Sequence, residues 1–436
     1  MTGPEIVTLG CRLNLAESEA IRAMLTGRDA VVVNSCAVTG EAVKQTRVAI
    51  RRARRARPGA ELIVTGCAAT IDAAGFAAMP EVDRVVPNAA KTLPASWGAL
   101  AAPLPRFRDH ARAFVPVQNG CDHACTFCII PQGRGASRSV PVAQVVARVA
   151  GLVAAGHREV VLTGVDVTSY GPDLPGAPTL GQLCEALLAV PGLARLRLSS
   201  IDGHEVDPVL FELLASEARM MPHVHLSLQA GNDLVLKRMR RRHSRAEAVA
   251  LVSRLRARRD VAVGADLIAG FPTETEAMFA DTAALLDDCD IVHAHIFPFS
   301  PREGTPAARM PQVAPEVRRA RAARLREAAA GRKARWLQGL IGTVQEIVVE
   351  KPGDRGHTPQ FAEVRVPDSV AGDIVSVRVM GVADGVLLSS RHPRAGGSAC
   401  PSLPFIVHAV EMGPRFRGDD GGAEGAALHV AEACAA

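Results

Sequence analysis

Residues 114–128 read Phe-Val-Pro-Val-Gln-Asn-Gly-Cys-Asp-His-Ala-Cys-Thr-Phe-Cys, an apolar strand that runs into three cysteines at positions 121, 125 and 128. Thiolates this closely spaced in one tight loop can hold a single metal centre. A zinc site with His123 as fourth ligand is the alternative the spacing leaves open. Structural zinc usually draws on two separated ligand pairs, which are absent here. Three thiolates on a four-iron cube leave one iron open.

Working outward, apolar runs recur near 114–118, 159–164, 195–200, 223–228, 262–268 and 291–297, with Ala-rich helical stretches such as 142–155 and 245–258 between them. Six βα repeats predict a (β/α)6 partial barrel, whose chemistry belongs at the carboxyl ends of its strands. The residues at those ends include Gly164, Asp166, Ser199, Ser200, Gln229 and Gly270. Upstream, Ile6–Cys11, Val31–Cys36 and Leu62–Cys67 repeat one pattern, an apolar run that ends in small or polar residues and then Cys. Helical segments at Ser18–Leu25 and Glu41–Arg57 alternate with them, so a parallel α/β sheet is expected, and its strand ends can bring three cysteines together.

The stretch 91–113, with Pro94, Pro103 and Pro105, reads as a linker. Pro315–Trp336 reads as a basic helix. The runs Thr343–Glu350, Phe361–Val366, Ile374–Val379 and Val386–Ser389, parted by Gly, Asp and Pro, predict a small β-barrel. The expected division is 1–95 for the α/β unit, 107–336 for the barrel, 342–391 for the β-barrel and 396–436 for a Gly- and Ala-rich tail without a periodic apolar face.

Composition sets bounds on this reading. The 436 residues are 48% hydrophobic and 22% charged, which excludes a disordered or collagen-like chain. Ten cysteines, with no signal peptide or long apolar run at hand, point to a soluble cytoplasmic protein that uses thiols for metal or redox chemistry and needs no membrane. Of the ten, Cys184, Cys289, Cys400 and Cys434 have no partner at ligand spacing. His223, His225, His293 and His295 alternate along strands and read as core or pocket histidines. Lys and Arg exceed Asp and Glu by 50 to 45, and three stretches concentrate the excess: Lys44–Arg57 with seven cations and no acid, Lys237–Arg245 with six, and Glu316–Arg335 with eight against two acids. Such runs suit a polyanionic partner, although a charged helix face is as often merely solvated.

The triplet with Phe127 as its aromatic resembles the CxxxCxΦC signature of the radical S-adenosylmethionine (SAM) superfamily. The frames LGCRLNLAES, VNSCAVT and VTGCAAT, with GRGASRS, HVHLSLQAGND, GADLIAGFPTET, IFPFSPREGTPAARM and GDIVSVRVMGVADGVLLSS, resemble the radical-SAM methylthiotransferases over residues 5 to about 391. Ala230 and Thr273 depart from that pattern, where Ser and Gly are usual. The resemblance implies two 4Fe-4S clusters, one on Cys121, Cys125 and Cys128 and an auxiliary one on Cys11, Cys36 and Cys67. It also implies SAM held near Phe127, Gly164, Asp166, Ser199, Ser200, Gln229 and Gly270, cleaved to a 5'-deoxyadenosyl radical. No acid/base residue is implied, since the radical chemistry is borne by the cluster.

Within that family GCRLN and NSCAVT look like the branch acting on threonylcarbamoyladenosine at position 37 of tRNA. Isopentenyladenosine in tRNA and a ribosomal-protein aspartate are the other substrates the family offers. The implied partners are the anticodon stem-loop of tRNA, an electron donor such as flavodoxin or ferredoxin, and a sulfur donor that the sequence does not identify. The small β-barrel resembles a TRAM domain and is expected to bind RNA without taking part in chemistry. A non-catalytic iron-sulfur protein that binds RNA is the reading from a different class.

Overall fold

The computed structural model describes residues 3–101, 103, 105, 107, 110–350, 353–366 and 369–391, so the expected tail lies outside the described residues. The N-terminal unit is a parallel sheet of β1 (Glu5–Thr8), β2 (Ala30–Ser35), β3 (Glu61–Gly66) and β4 (Arg84–Val86), hydrogen-bonded in that order. Successive side chains of a strand face opposite ways. Val31, Val33, Leu62 and Val64 therefore pack on Ile50, Ala53 and Phe76, while Val32 and Ile63 pack on Ile21, Leu25 and Trp97 across the sheet. The register pairs Thr8 with Asn34 and Ser35 with Gly66, which brings the three strand ends level. Two details differ from expectation. The first helix spans Arg12–Met24 and starts directly after Cys11, and the stretch read as a linker contains a 3-10 turn at Pro94–Trp97 with Lys91 and Trp97 fully buried. Proline marked a turn there, but the turn is packed into the core.

The second unit has six parallel strands in sequence order: β5 (Arg112–Pro116), β6 (Glu159–Thr163), β7 (Arg195–Leu198), β8 (His223–Gln229), β9 (Ala262–Ala269) and β10 (Ile291–Pro298). A break at Ser199 divides them. β7 pairs with β6, and the short continuation Ser200–Ile201 pairs with β8. Both outer strands are covered. Helix Arg12–Met24 packs on β5, with Ala16 entering the barrel's core, and helix Pro315–Gly339 packs on β10. That second helix engages five of its arginines with groups of the chain itself. Arg318 and Arg326 donate to the carbonyls of Phe299 and Ile296, Arg321 pairs with Glu274, Arg324 with Glu276, and Arg332 with Asp287 and Asp290. Five of the eight cations expected to meet a polyanion are thus engaged.

Residues after Gly342 form a closed barrel of β11 (Val344–Glu350), β12 (Arg355–His357), β13 (Glu363–Arg365), β14 (Ile374–Ala383) and β15 (Val386–Arg391), in the order β11-β12-β13-β15-β14. It is filled by Ile347, Val349, Val364, Val377, Val379 and Leu387, with Leu337 from the preceding helix. This is the predicted β-barrel, but it is not a loosely appended module. Phe361 stacks on His223 (ring centroids 5.2 Å apart) and His357 (4.4 Å), and the guanidinium groups of Arg12, Arg112 and Arg197 lie 5.4, 4.9 and 5.0 Å from its centroid. Arg112 also pairs with Glu350 at 2.7 Å, and Arg197 donates to Glu159 at 2.8 Å and to the Pro359 carbonyl at 3.1 Å. Arg112, Glu159 and His223 each begin a strand, so this loop plugs the amino-terminal end of the second unit.

Removing residues 342–391 would uncover the buried Arg197–Glu159 pair, so the truncated chain should be unstable as well as deficient in binding. Phe361→Ala should cost about 3 kcal/mol, the range for losing a packed aromatic ring. Denaturant unfolding checks this, and an unchanged midpoint would show that the plug does not brace the barrel.

Candidate cluster and SAM site

Each cysteine of the N-terminal triplet follows a strand end, and polar side chains from the same motifs lace those ends together. Asn14 donates to the Leu9 carbonyl at 2.7 Å and to the Ser35 carbonyl at 3.1 Å, tying the loop before Cys11 to the residue before Cys36. Asn34 donates to the Asn14 carbonyl at 2.9 Å. Ser35 Oγ accepts from the Ala69 amide at 3.1 Å, fastening the helix Cys67–Ile71 to the same point. Gly66, just before Cys67, has φ +97°, and a Cβ there would lie 2.3 Å from the Ser35 carbonyl oxygen, so only glycine fits. Gly10, just before Cys11, has φ +93° and would place a Cβ 2.9 Å from Cys36 Sγ. The residue next to Cys11 is therefore packed against Cys36.

The barrel triplet lies at the carboxyl end of β5. Cys121, Cys125, Phe127 and Cys128 line a cavity with His123, Asp166, Ser227, Gln229 and Arg241. Gln118 organises the neighbouring loop: its Oε1 accepts from the amides of Val165 and Asp166 at 3.0 and 2.9 Å. Gly164 approaches Gln118 so closely that a Cβ would lie 2.9 Å from its backbone oxygen. Asp166 thus reaches the cavity, where it pairs with His123 and stands 4.0 Å from Cys121 Sγ. His123 is held protonated by Asp166 and Glu205, with its pKa pushed up to about 10. Burial pushes the Cys121 and Cys128 thiols up to about 12, so bare thiolates are disfavoured. A bound metal supplies the compensating positive charge, and the donor set fits a cluster held by three thiolates.

The other expected SAM contacts divide. Asp166, Gln229 and Phe127 line the cavity, with Gln229 at φ +68° and Phe127 edge-on to Phe271 at 6.4 Å. Ser199 and Ser200 sit at the break between β7 and β8, and Asp202 lines the cavity in their vicinity. Gly270, at φ +73°, is pressed against Arg318, where a Cβ would lie 2.5 Å from Cγ, and its amide donates to Glu274 at 2.8 Å. Of the four strand histidines, His223 and His225 are buried and His293 and His295 half-buried. His225 Nε2 and His295 Nδ1 each lie 3.1 Å from Asp266 Oδ1, and His223 and His293 pack around Phe361.

The two triplets adjoin. Helix Ile130–Arg134, which directly follows Cys128, lies on Cys67: a Cβ on Gly133 would be 3.1 Å from that of Cys67. Asn88 joins them, donating to the Gly133 carbonyl at 2.6 Å and lying 3.5 Å from Cys67 Sγ. Beneath the N-terminal triplet, Arg134 makes a two-pronged pair with Glu17, both bonds 3.0 Å, and Lys91 Nζ meets the same carboxylate. Sequence reading passed over Gln118, Asp202, Arg241, Glu17, Lys91 and Arg134. Glu17 lies within the quoted LGCRLNLAES, Arg134 within GRGASRS and Gln118 within the opening stretch, but no role was read for any of them there.

Residues 115–286 match the Radical SAM superfamily, and residues 4–87 match the Uncharacterized protein family UPF0004. A threonylcarbamoyladenosine tRNA methylthiotransferase MtaB of Rickettsia prowazekii is 45% identical over 405 residues, covering 88% of this chain and 96% of its own. The protein of that name from Bacillus subtilis is 32% identical, covering 86% and 92%. A tRNA-2-methylthio-N(6)-dimethylallyladenosine synthase of Maricaulis maris is 33% identical, covering 88% and 96%. Among solved structures, the radical SAM methyltransferase TsrM of Kitasatospora setae matches 64% of each chain with a TM-score of 0.47 and 16% identity. The barrel and its cysteine loop are thus those of a radical SAM enzyme, a class that uses SAM and a 4Fe-4S cluster. The chain belongs to the threonylcarbamoyladenosine tRNA methylthiotransferase family of that class.

Gly66→Ala tests the lacing of the N-terminal triplet. Reconstituted wild-type protein should hold about eight irons, the sum of two Cys-bound four-iron clusters. The variant should lose about half, because the clash displaces Cys67 while Cys121, Cys125 and Cys128 are untouched. Full iron content would mean that Gly66 does not hold Cys67 in a ligand position.

Proposed function

We propose that this chain adds a methylthio group to C2 of N6-threonylcarbamoyladenosine at position 37 of tRNA, acting in the cytoplasm. The observation that carries the reading is the contact between Gly133 and Cys67, which sets the two cysteine triplets side by side where one substrate base can meet both. In this reading Cys121, Cys125 and Cys128 hold one 4Fe-4S cluster, and Cys11, Cys36 and Cys67 hold the other. When bound, the first supplies the electron that cleaves SAM and the second supplies sulfur. The target C2–H is a non-acidic aromatic bond, so a general base cannot practicably activate it.

The chain's own residues bind and orient. Asp166, fixed by Gln118, offers a carboxylate to the cationic amino end of SAM, and Gln229 and Ser227 of the same cavity offer hydrogen bonds. Phe127, packed on Phe271, closes the cavity against water. Gly164 and Gly270 keep two strand-end loops close to the barrel, and Ser199 and Ser200 shape the break beside them. Arg241 Nη1 lies 3.7 Å from Cys125 Sγ and steadies its negative charge. A small reductant protein such as flavodoxin or ferredoxin would deliver electrons.

The work divides among 1–95, 107–336 and 342–391 as the sequence suggests. For tRNA, the cations that remain exposed and unpaired matter most. On helix Gly40–Ala56, Arg47, Arg51, Arg54 and Arg57 at its end are engaged with acids, whereas Lys44, Arg52 and Arg55 have no such partner among the described residues. At 100° per residue these three fall within one quadrant of the helix and span roughly 16 Å, a run suited to successive phosphates. In 237–245, Arg241, Arg242 and Arg245 are likewise paired, with Asp202, Glu205 and Asp288.

Mass spectrometry of tRNA nucleosides from cells with and without the gene tests the reaction. The methylthiolated threonylcarbamoyladenosine should vanish on deletion; loss of the methylthiolated isopentenyl nucleoside instead would move the substrate to the other tRNA branch. Cys36→Ala should still release 5'-deoxyadenosine from SAM yet form no methylthiolated product, and wild-type product formation would contradict the auxiliary assignment. Replacing Lys44, Arg52 and Arg55 together with Ala should weaken tRNA binding and lower the salt slope by up to about 3, one for each phosphate contact. An unchanged slope would show that this helix does not meet the substrate.

A further inference from the structure

Glu17, Lys91 and Arg134 are 3%, 0% and 4% exposed, and they come from three places: the first helix, the turn after β4 and the helix behind the barrel's cysteine loop. The carboxylate of Glu17 accepts two bonds of 3.0 Å from Arg134 and faces Lys91 Nζ at 2.5 Å. The remaining donors go to amide oxygens. Arg134 reaches Asn14 Oδ1 at 2.6 Å and Asn119 Oδ1 at 2.9 Å, and Lys91 lies 3.4 and 3.5 Å from the Oδ1 atoms of Asn14 and Asn34. Two cations therefore share one anion where water does not reach, leaving one positive charge unbalanced.

An unbalanced charge in a buried site is costly unless another group neutralises it. Beyond Glu17, the groups within electrostatic reach that can do so are Cys11 and Cys67 for Arg134 and Cys67 for Lys91, two members of the N-terminal triplet. Asn14 and Asn34, which touch Lys91, are the residues that lace the first two cysteine loops, and Arg134 follows Gly133, which lies on Cys67. As thiols the cysteines leave the excess uncompensated, whereas as thiolates on a metal cluster they balance it. The other His and Asp group, His225, Asp266 and the half-buried His295, has its own carboxylate oxygen hydrogen-bonded to both rings.

We infer that Lys91 and Arg134, joined through Glu17, are positioning residues whose one net positive charge holds the auxiliary cluster in place and raises its reduction potential. The inference rests on the proposed binding of a cluster by Cys11, Cys36 and Cys67. A fixed cation favours the more negative, reduced state of a neighbouring cluster, so removing it makes reduction harder. Removing the anion does the opposite. This opposed pair of signs separates an electrostatic role from general loosening of the fold, which would move both variants the same way.

The test uses the full-length chain carrying Cys121→Ala, Cys125→Ala and Cys128→Ala, so that only the auxiliary cluster is present, reconstituted anaerobically and titrated by EPR. Lys91→Met, which leaves Glu17 and Arg134 as a balanced pair, should shift the midpoint negatively. The expected size is about tenfold in the oxidised-to-reduced ratio, or about 59 mV for one electron. Glu17→Gln should shift it positively, and Lys91→Arg should restore the wild-type value. Coincident midpoints, or shifts of one sign in both variants, would overturn the inference. Should Lys91→Met fail to fold, Glu17→Gln and Lys91→Arg still decide it by the sign of the one and the silence of the other. If the background protein binds no iron at all, the cluster reading falls first and takes the inference with it, a result distinct from a cluster whose potential ignores these charges.

Discussion

The ion pair between Glu17 and Arg134 is the joint on which the molecule turns. One partner belongs to the helix that begins just after Cys11, the other to the helix that ends the Cys121–Cys128 loop, so this buried contact, with Asn88 and the approach of Gly133 to Cys67, ties the two cysteine triplets together. Breaking such a pair by removing one side typically costs about 3–5 kcal/mol, because the survivor is left charged and dry. Helix Arg12–Met24 is then clamped between its own sheet and β5, and the open flank of the barrel is closed by the N-terminal unit.

A second constraint works from the far end. The loop that carries Phe361 enters the amino-terminal side of the barrel and meets residues from all three units, including Arg12 immediately after Cys11. The small β-barrel is therefore part of the enzyme's frame as well as a candidate RNA-binding element. Chemistry at the carboxyl ends of β5–β10 and bracing at their amino ends follow the usual division of labour in parallel barrels.

Much of this was legible in the sequence because it depends on local pattern. The apolar runs that become β2, β6 and β9 are buried along their whole length, as is β3 after Glu61, and such strands announce themselves. The glycines before Cys11, Cys67 and Cys121 were visible as part of the cysteine frames, and the structure supplies their reason in positive φ and close approach. What stayed hidden depends on contacts distant in the chain. Lys91 is one cation in a stretch that reads as a linker, and nothing local shows that Glu17, 74 positions earlier, neutralises it. The arginines of Pro315–Gly339 looked like a polyanion surface for the same reason, since their partners Glu274, Glu276, Asp287 and Asp290 are some forty residues away. Ser199 and Ser200 sit at a strand end, as foreseen, but the break in the sheet passes through them and Asp202 reaches the cavity.

The central claim is that two clusters lie side by side across the Gly133–Cys67 contact, and their magnetic interaction tests it most directly. With both clusters reduced in the intact protein, EPR should show spectra broadened or split by spin–spin coupling, and the coupling should disappear when either triplet is replaced. Two signals that superimpose on the sum of the single-cluster spectra would place the clusters too far apart to serve one substrate base, and would contradict the account.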